Sequence, residues 1–194
     1  MSELKKSSQS WSMWALLLVG LVAALGVFLF IRNRKKQQET ENSDQDVTEV
    51  PDKDEDEDEI ILVNYKIISQ GLEIEGIEDE TMHRLITAQA MHETAIFDSP
   101  VFEKNKNYFG MGHPSKRPTT STGKVGGYAN YETLVDSAKD YALYYKYVGL
   151  PNFTDAKTFA AELKKKDYYT DSFVNYSAGV SAHFKKLNQL LNVG

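Results

Sequence analysis

The chain has 194 residues, a net charge of −6 and no cysteine. That length accommodates one domain of ordinary size with appendages, since globular domains run to about 100–200 residues. From Ile60 onward Lys+Arg and Asp+Glu are equal at 15 each, so the acidity belongs to the preceding segment. A domain with no basic stripe has no electrostatic footprint for DNA or RNA, and the missing cysteines exclude disulfides and thiolate metal sites.

The run WALLLVGLVAALGVFLFI, Trp14 to Ile31, carries no charge. At about 1.5 Å per helical residue it approaches the thickness of a hydrocarbon core of about 30 Å. Trp11 and Trp14 open the run, and Arg32, Arg34, Lys35 and Lys36 close it, so residues 11–31 are predicted to be a transmembrane helix behind an N-terminal flank, residues 1–10. A cleaved signal peptide is the alternative, disfavoured because no small-x-small site precedes the basic cluster. The basic cluster after the span would hold the C-terminal part in the cytoplasm by the positive-inside tendency. Residues 32–59, basic and then acidic through DKDEDEDE, are predicted to be a disordered tether, because self-repelling charge without apolar residues cannot offset ordering entropy. The run lacks the glycine and terminal glutamate of a calcium-binding EF-hand loop.

Residues 60–194 form the predicted domain. IILVNYKIISQGLEIEG fits either a short strand or an edge packing segment. Met82, Leu85, Ile86 and Gln89 then fall at helical spacing behind the acidic Glu78-Asp79-Glu80, which predicts a helix ending near Glu93 or Thr94. From Phe97 to Asn130 the chain is polar and rich in turn residues, suited to a loop or small hairpin lobe with a bend at Gly126-Gly127. Helices are predicted over Tyr131–Tyr147, Asp155–Lys166 and Phe173–Asn192, the last with Val180, Phe184, Leu187 and Leu191 on its core face. The expected fold is mainly α with a small irregular or β-hairpin lobe.

LITAQAMHETAIFDSPVFEKNKNYFGMG resembles the signature of glycoside hydrolase family 73, the glucosaminidases with a lysozyme-like α+β fold, through Ala88, Gln89, Glu93, Thr94, Ala95, Ser99, Asn107, Phe109 and Gly110. YETLVDSAKDYALYY is similar to a second element of that family through Tyr131, Thr133, Ser137, Asp140 and Tyr141, and DYYTD to its Y-x-T-D turn through Tyr168, Thr170 and Asp171. The likeness spans roughly Thr81 to Leu191. It implies a glycosidase cutting the β-1,4 glycan of bacterial peptidoglycan, as an N-acetylglucosaminidase, a muramidase or a lytic transglycosylase. It also implies that Glu93 is the catalytic acid, that Tyr168 is a catalytic residue in the cleft whose hydroxyl orients the substrate or stabilises developing charge, and that Gln89, Asn107, Tyr108, Phe109 and Gly110 build the substrate-binding floor.

A glycosidase needs a carboxylic acid kept protonated near neutral pH, and a helix-end glutamate against an apolar wall meets that need by desolvation. Met91, Ile96, Phe97, Tyr108 and Phe109 are the expected wall. A solvated helix-end carboxylate is the bland alternative. Hydrolysis by two carboxyl groups requires a partner, which the family commonly places in the hairpin lobe. No acidic residue stands between Glu103 and Glu132. A single-acid route is therefore preferred, in which the substrate's own N-acetyl group or a 6-hydroxyl stands in for the partner; Asp98 and Glu132 are the candidates if a carboxylate reaches in from elsewhere.

His83, His92, His113 and His183 are scattered, and His92-Glu93 lacks the second histidine of H-E-x-x-H, so neither metal nor cofactor is expected. Lys164-Lys165-Lys166 reads as a solvated helix end. The expected partners are peptidoglycan and a membrane, with no nucleic acid. The expected setting is a bacterial inner membrane or the membrane of a phage particle, with the catalytic domain facing the wall; this requires that the charge tendency is overridden, that another protein opens the membrane late, or that a phage particle meets the wall from outside, and the short anchor-plus-hydrolase layout suits a phage product. The rival reading is a wall-binding or virion structural protein with a degenerate cleft.

Overall fold

A computed structural model describes residues 53–192 of the chain, with side chains from Glu57 onward. The predicted span 11–31, its flank and most of the tether lie outside the described residues. Six helices and one hairpin follow in order: α1 Lys53–Ile74, α2 Glu80–Glu93, α3 Pro100–Asn105, β1 Gly123–Val125, β2 Tyr128–Asn130, α4 Leu134–Tyr147, α5 Ala156–Lys165 and α6 Phe173–Asn192. Among the described residues, no helix is long and apolar enough to cross a membrane.

The segment left as strand or packing edge is helical, and α1 reaches back into the acidic run expected to be disordered. Acidic side chains suit the positive end of a helix dipole. Here Glu57 and Asp58 also reach Lys186 of α6, at 2.5 and 3.2 Å. Ile61, Ile68 and Leu72 are fully buried on the inner face of α1. Gly71 lets α1 meet α4 closely, since a Cβ there would lie 2.5 Å from Ala138 Cβ.

Asp79 caps α2 by accepting from Met82 N at 2.8 Å. Apart from Arg84, every residue from Met82 to Met91 is buried, so α2 is the central helix, packed between α1 and α6 rather than lying amphipathic on the surface. Thr133 and Asp155 cap α4 and α5 through their side chains. Within α6, Val180 and Leu187 are fully buried, while Phe184 and Leu191 are half-buried at its flank.

Directly after Glu93 the chain makes an unusual turn: Ala95, Ile96 and Phe97 all have positive φ, 50°, 58° and 62°. Left-handed backbone costs a side-chain-bearing residue about 1–2 kcal/mol, so the turn needs support. Thr94 Oγ1 donates to Ala90 O at 2.6 Å and accepts from Phe97 N at 2.9 Å. Ile96 N bonds Met91 O at 2.8 Å, and Phe97 buries its ring against Phe102 and Tyr108. The turn reverses the chain so that Asn107–Gly110 returns beneath the end of α2.

The polar region is ordered as α3 and a two-stranded antiparallel hairpin, register Gly123↔Asn130, with Gly126 and Gly127 at positive φ in the bend. Asn105 Nδ2 bonds Val125 O at 2.9 Å, and the salt bridge of Arg117 with the fully buried Asp140, at 2.8 Å, anchors the lobe to α4.

Candidate active site

Glu93 is the last residue of α2, so its side chain leaves the core where the helix ends. Tyr176, from the first turns of α6 and only 3% exposed, donates its hydroxyl to Glu93 Oε1 at 2.7 Å. Oε2 is thereby left to face Gly110, 3.9 Å from where a Cβ on that residue would sit. Gly110 thus keeps open the space in front of the free carboxyl oxygen. Burial raises the Glu93 carboxyl above its ordinary range, and the Tyr176 hydrogen bond, which favours the ionised form, pulls part of the way back. Burial and then the Glu93 charge push Tyr176 far above the tyrosine range, so it keeps its proton and acts as a donor.

A groove of about 360 Å³ opens in front of this pair, lined by His92, Glu93, Phe109, Gly110, Tyr168, Tyr169, Thr170, Asp171 and Tyr176. A second hollow of about 330 Å³ shares Phe109, Gly110 and Tyr168, and extends past Met111, Gly112, Pro114, Arg117 and Tyr144 to Lys166 and Asp167. The three shared residues make one path with two halves, each within the size range of small-molecule sites. Its wall is aromatic, as a sugar-stacking surface is, although the rings differ from those expected. Only Phe109 of the expected wall lines the groove. Met91, Phe97 and Tyr108 are core residues.

Of the predicted floor residues, Phe109 and Gly110 line the groove and the other three lie beneath it. Gln89 is fully buried and accepts from Tyr141 Oη at 2.5 Å. Its amide nitrogen has no hydrogen-bond partner among the described residues. Asn107 is fully buried and bonds Met111 O and Ala129 O, joining the loop to the hairpin. Tyr108 is fully buried, with its hydroxyl on Asn64 Oδ1 at 2.5 Å. Gln89 faces inward from the buried central helix, and the returning loop turns Asn107 and Tyr108 into the core and Phe109 and Gly110 into the groove.

Tyr168 lies in the groove, but its hydroxyl donates to Phe109 O at 2.7 Å. Its proton therefore fixes the Phe109–Gly110 backbone, and Tyr176, which no sequence motif singles out, is the tyrosine on the carboxyl group. Asp98 is exposed on the turn after Glu93 and Glu132 is exposed at the hairpin exit; neither lines either half of the groove.

His92 stacks edge-on against Tyr176, centroids 4.9 Å apart, and packs over Gly179, where any Cβ would collide with the imidazole. Burial lowers the His92 pKa, with Asp171 opposing. Tyr169 stacks flat on Tyr176 at 3.6 Å. Lys164, expected to be solvated, instead donates to the carbonyls of Tyr169, Thr170 and Asp171 at 3.2, 3.3 and 2.9 Å, tying down the loop that forms the far wall. Among the described residues, no three His, Asp or Glu side chains gather into a metal-binding group.

A mainly helical domain with a hairpin lobe, a groove between them and a buried carboxyl group at a helix end has the layout of a lysozyme-like glycosidase. The chain matches the Glucosaminidase family, described as mannosyl-glycoprotein endo-beta-N-acetylglucosaminidase, over residues 72–189, more than half its length, and it belongs to that family. It is a glycosidase acting on peptidoglycan. No curated protein and no solved structure matches it.

Proposed function

We propose that this protein is a membrane-anchored peptidoglycan hydrolase that cleaves the β-1,4 bond between amino sugars, with Glu93 as general acid and residues 11–31 as the anchor. The observation that carries this reading is the Glu93 carboxyl group, raised by burial, bonded on Oε1 by Tyr176 and open to the groove on Oε2. A carboxyl group with one oxygen occupied by a donor holds its own proton on the other, so Oε2 is the atom that protonates the glycosidic oxygen. Positioned proton transfer contributes about 10²–10⁴-fold to a rate.

The anchor assigns location and not chemistry, and residues 60–194 carry the glycosidase domain, with α1 leading into it from Lys53. The membrane is a bacterial inner membrane or that of a phage particle, with the domain facing the wall. A lytic transglycosylase using the same acid is the second reading, favoured by the absence of any acidic residue between Glu103 and Glu132.

Full-length protein in detergent, incubated with purified peptidoglycan and followed by mass analysis of the released fragments, tests both. Hydrolysis yields reducing ends and transglycosylation yields anhydro ends. Glu93→Gln is expected to lose about 10²–10⁴-fold in kcat while melting no lower than wild type at pH 7, because it removes a carboxyl group that burial disfavours in its charged form. Intact sacculi with tight binding by the wild type would overturn the enzymatic reading.

A further inference from the structure

The hairpin lobe holds no carboxylate, and the two residues that sequence alone put forward, Asp98 and Glu132, do not reach the groove. Only one other carboxylate lines the half that contains Glu93, and that is Asp171. It arrives from a different direction: Glu93 from the end of α2, Asp171 from the turn that leads into α6. We infer that Asp171 is the second carboxylate of the reaction, recruited from the helical side of the groove to stabilise the cationic sugar and accept the proton of the attacking water.

Three features support a built position. The Lys164 ammonium holds the carbonyls of Tyr169, Thr170 and Asp171 together and lies 4.9 Å from the Tyr169 ring centroid. Tyr169 is in turn fixed by its flat stack on Tyr176 and by a bond from its hydroxyl to Ala160 O at 3.1 Å. The Asp171 Oδ1 accepts from Ser172 N at 2.6 Å, which leaves Oδ2 free of protein partners among the described residues. The same Tyr176 that holds Glu93 Oε1 therefore carries, through Tyr169, the loop on which Asp171 stands. Acid and partner share one rigid support, as preorganised catalytic groups require.

The step balances. Glu93 Oε2 gives its proton to the bridging oxygen as the C1–O bond breaks and its electron pair passes to that oxygen. Positive charge shared by C1 and the ring oxygen is met by the Asp171 carboxylate. Water adds to C1 and its released proton goes to Asp171; solvent then returns a proton to Glu93 and removes one from Asp171. One glycosidic bond and one water become two hydroxyls, so the product carries a free reducing end.

This inference rests on Glu93 being the acid, and the experiment separates the two. Full-length wild type, Glu93→Gln, Asp171→Asn, Asp171→Ala, Asp98→Asn and Glu132→Gln are compared on purified peptidoglycan in detergent, with circular dichroism checking the fold. The expected result is a loss of about 100-fold or more in kcat for Asp171→Asn, near-wild-type rates for Asp98→Asn and Glu132→Gln, and partial recovery of Asp171→Ala in sodium azide, with a glycosyl azide among the products. Asp171→Asn keeping more than a tenth of wild-type kcat, or a folded Asp171→Ala that azide does not rescue, would overturn the role of Asp171 while leaving Glu93 untouched. An inactive wild type would instead sink the reading beneath it.

Discussion

The two sides of the groove are built on different physics. On the helical side, Glu93, Tyr176 and the Tyr169–Asp171 loop are fixed by a central helix buried all round, a stacked ring pair and a lysine clamp. On the other side the loop from Gly110 to Arg117 lines the path, backed by a hairpin of three-residue strands whose Val125 and Tyr128 are 53% and 40% exposed, and held by the carboxamides of Asn105 and Asn107 and by one buried ion pair. Exact placement matters where a proton moves, because small displacements of a catalytic group cost large factors in rate. A surface that only shapes a path for a polymer tolerates looser support. With Glu93 as the proposed acid, the contrast assigns the chemistry to the helices and the shape of the path to the lobe.

The largest effect expected from that contrast is the loss of about 10²–10⁴-fold in kcat for Glu93→Gln, read by fragment release. An equal collapse from any lobe substitution that leaves the fold intact would break the comparison.

Next comes the tie between the two sides. Asp140 is fully buried against Arg117, itself nearly so. Burial alone would raise its pKa, but the bonds from Arg117, Thr119 and Tyr131 outweigh it and hold Asp140 below its ordinary value. A depressed carboxylate stabilises the fold above its unfolded pKa, and that contribution is lost as pH falls through the folded value. Wild type is therefore expected to weaken below the ordinary carboxylate range. Asp140→Asn should lose about 3–5 kcal/mol at neutral pH, the cost of stranding a buried guanidinium, in a urea titration. A loss under about 1 kcal/mol would mean that the lobe is held by other means.

Tyr176→Phe sharpens the helical side. Hydrogen bonds to charged groups contribute about 1.5–3 kcal/mol, so kcat should fall by about tenfold or more as Glu93 loses its orienting donor. The sign of the pH effect is opposite to that of general damage. The bond lowers the Glu93 pKa, so its removal should carry the alkaline limb of the rate profile to higher pH. An alkaline limb that stays or moves down would show that Tyr176 does not act on the carboxyl group.

Gly179→Ala forces the His92 ring off its seat, and overpacking of this kind costs about 1–3 kcal/mol. Because His92 abuts Tyr176, a drop in melting temperature accompanied by a several-fold drop in kcat is expected. Smallest of all is Val125→Ser at the hairpin tip, expected to stay within about 0.5 kcal/mol of wild-type stability with kcat unchanged.

Much of the helical frame was legible because it is local. Asp79, Thr133 and Asp155 announce the starts of α2, α4 and α5 by capping chemistry, and the stripe from Val180 to Leu187 announces α6. The bend at Gly126-Gly127 was legible for the same reason, since both residues require positive φ. The start of α1 was not, because the acidic run looks unable to fold until Lys186, more than a hundred residues away, is brought beside it.

By itself the sequence carried the resemblance to the family, and it determined the helix-end position of Glu93 and the lack of a carboxylate in the lobe, which follow from residue type and near-neighbour spacing. Only the tertiary structure decided that Tyr176 and not Tyr168 bonds the carboxyl group, that Gln89, Asn107 and Tyr108 support the floor from below, and that Asp171 shares the groove with Glu93. The physical reason is distance along the chain. The turn of left-handed residues after Glu93 and the packing of α2 against α6 bring together groups some eighty residues apart, and no local pattern records which face of a helix will meet which turn.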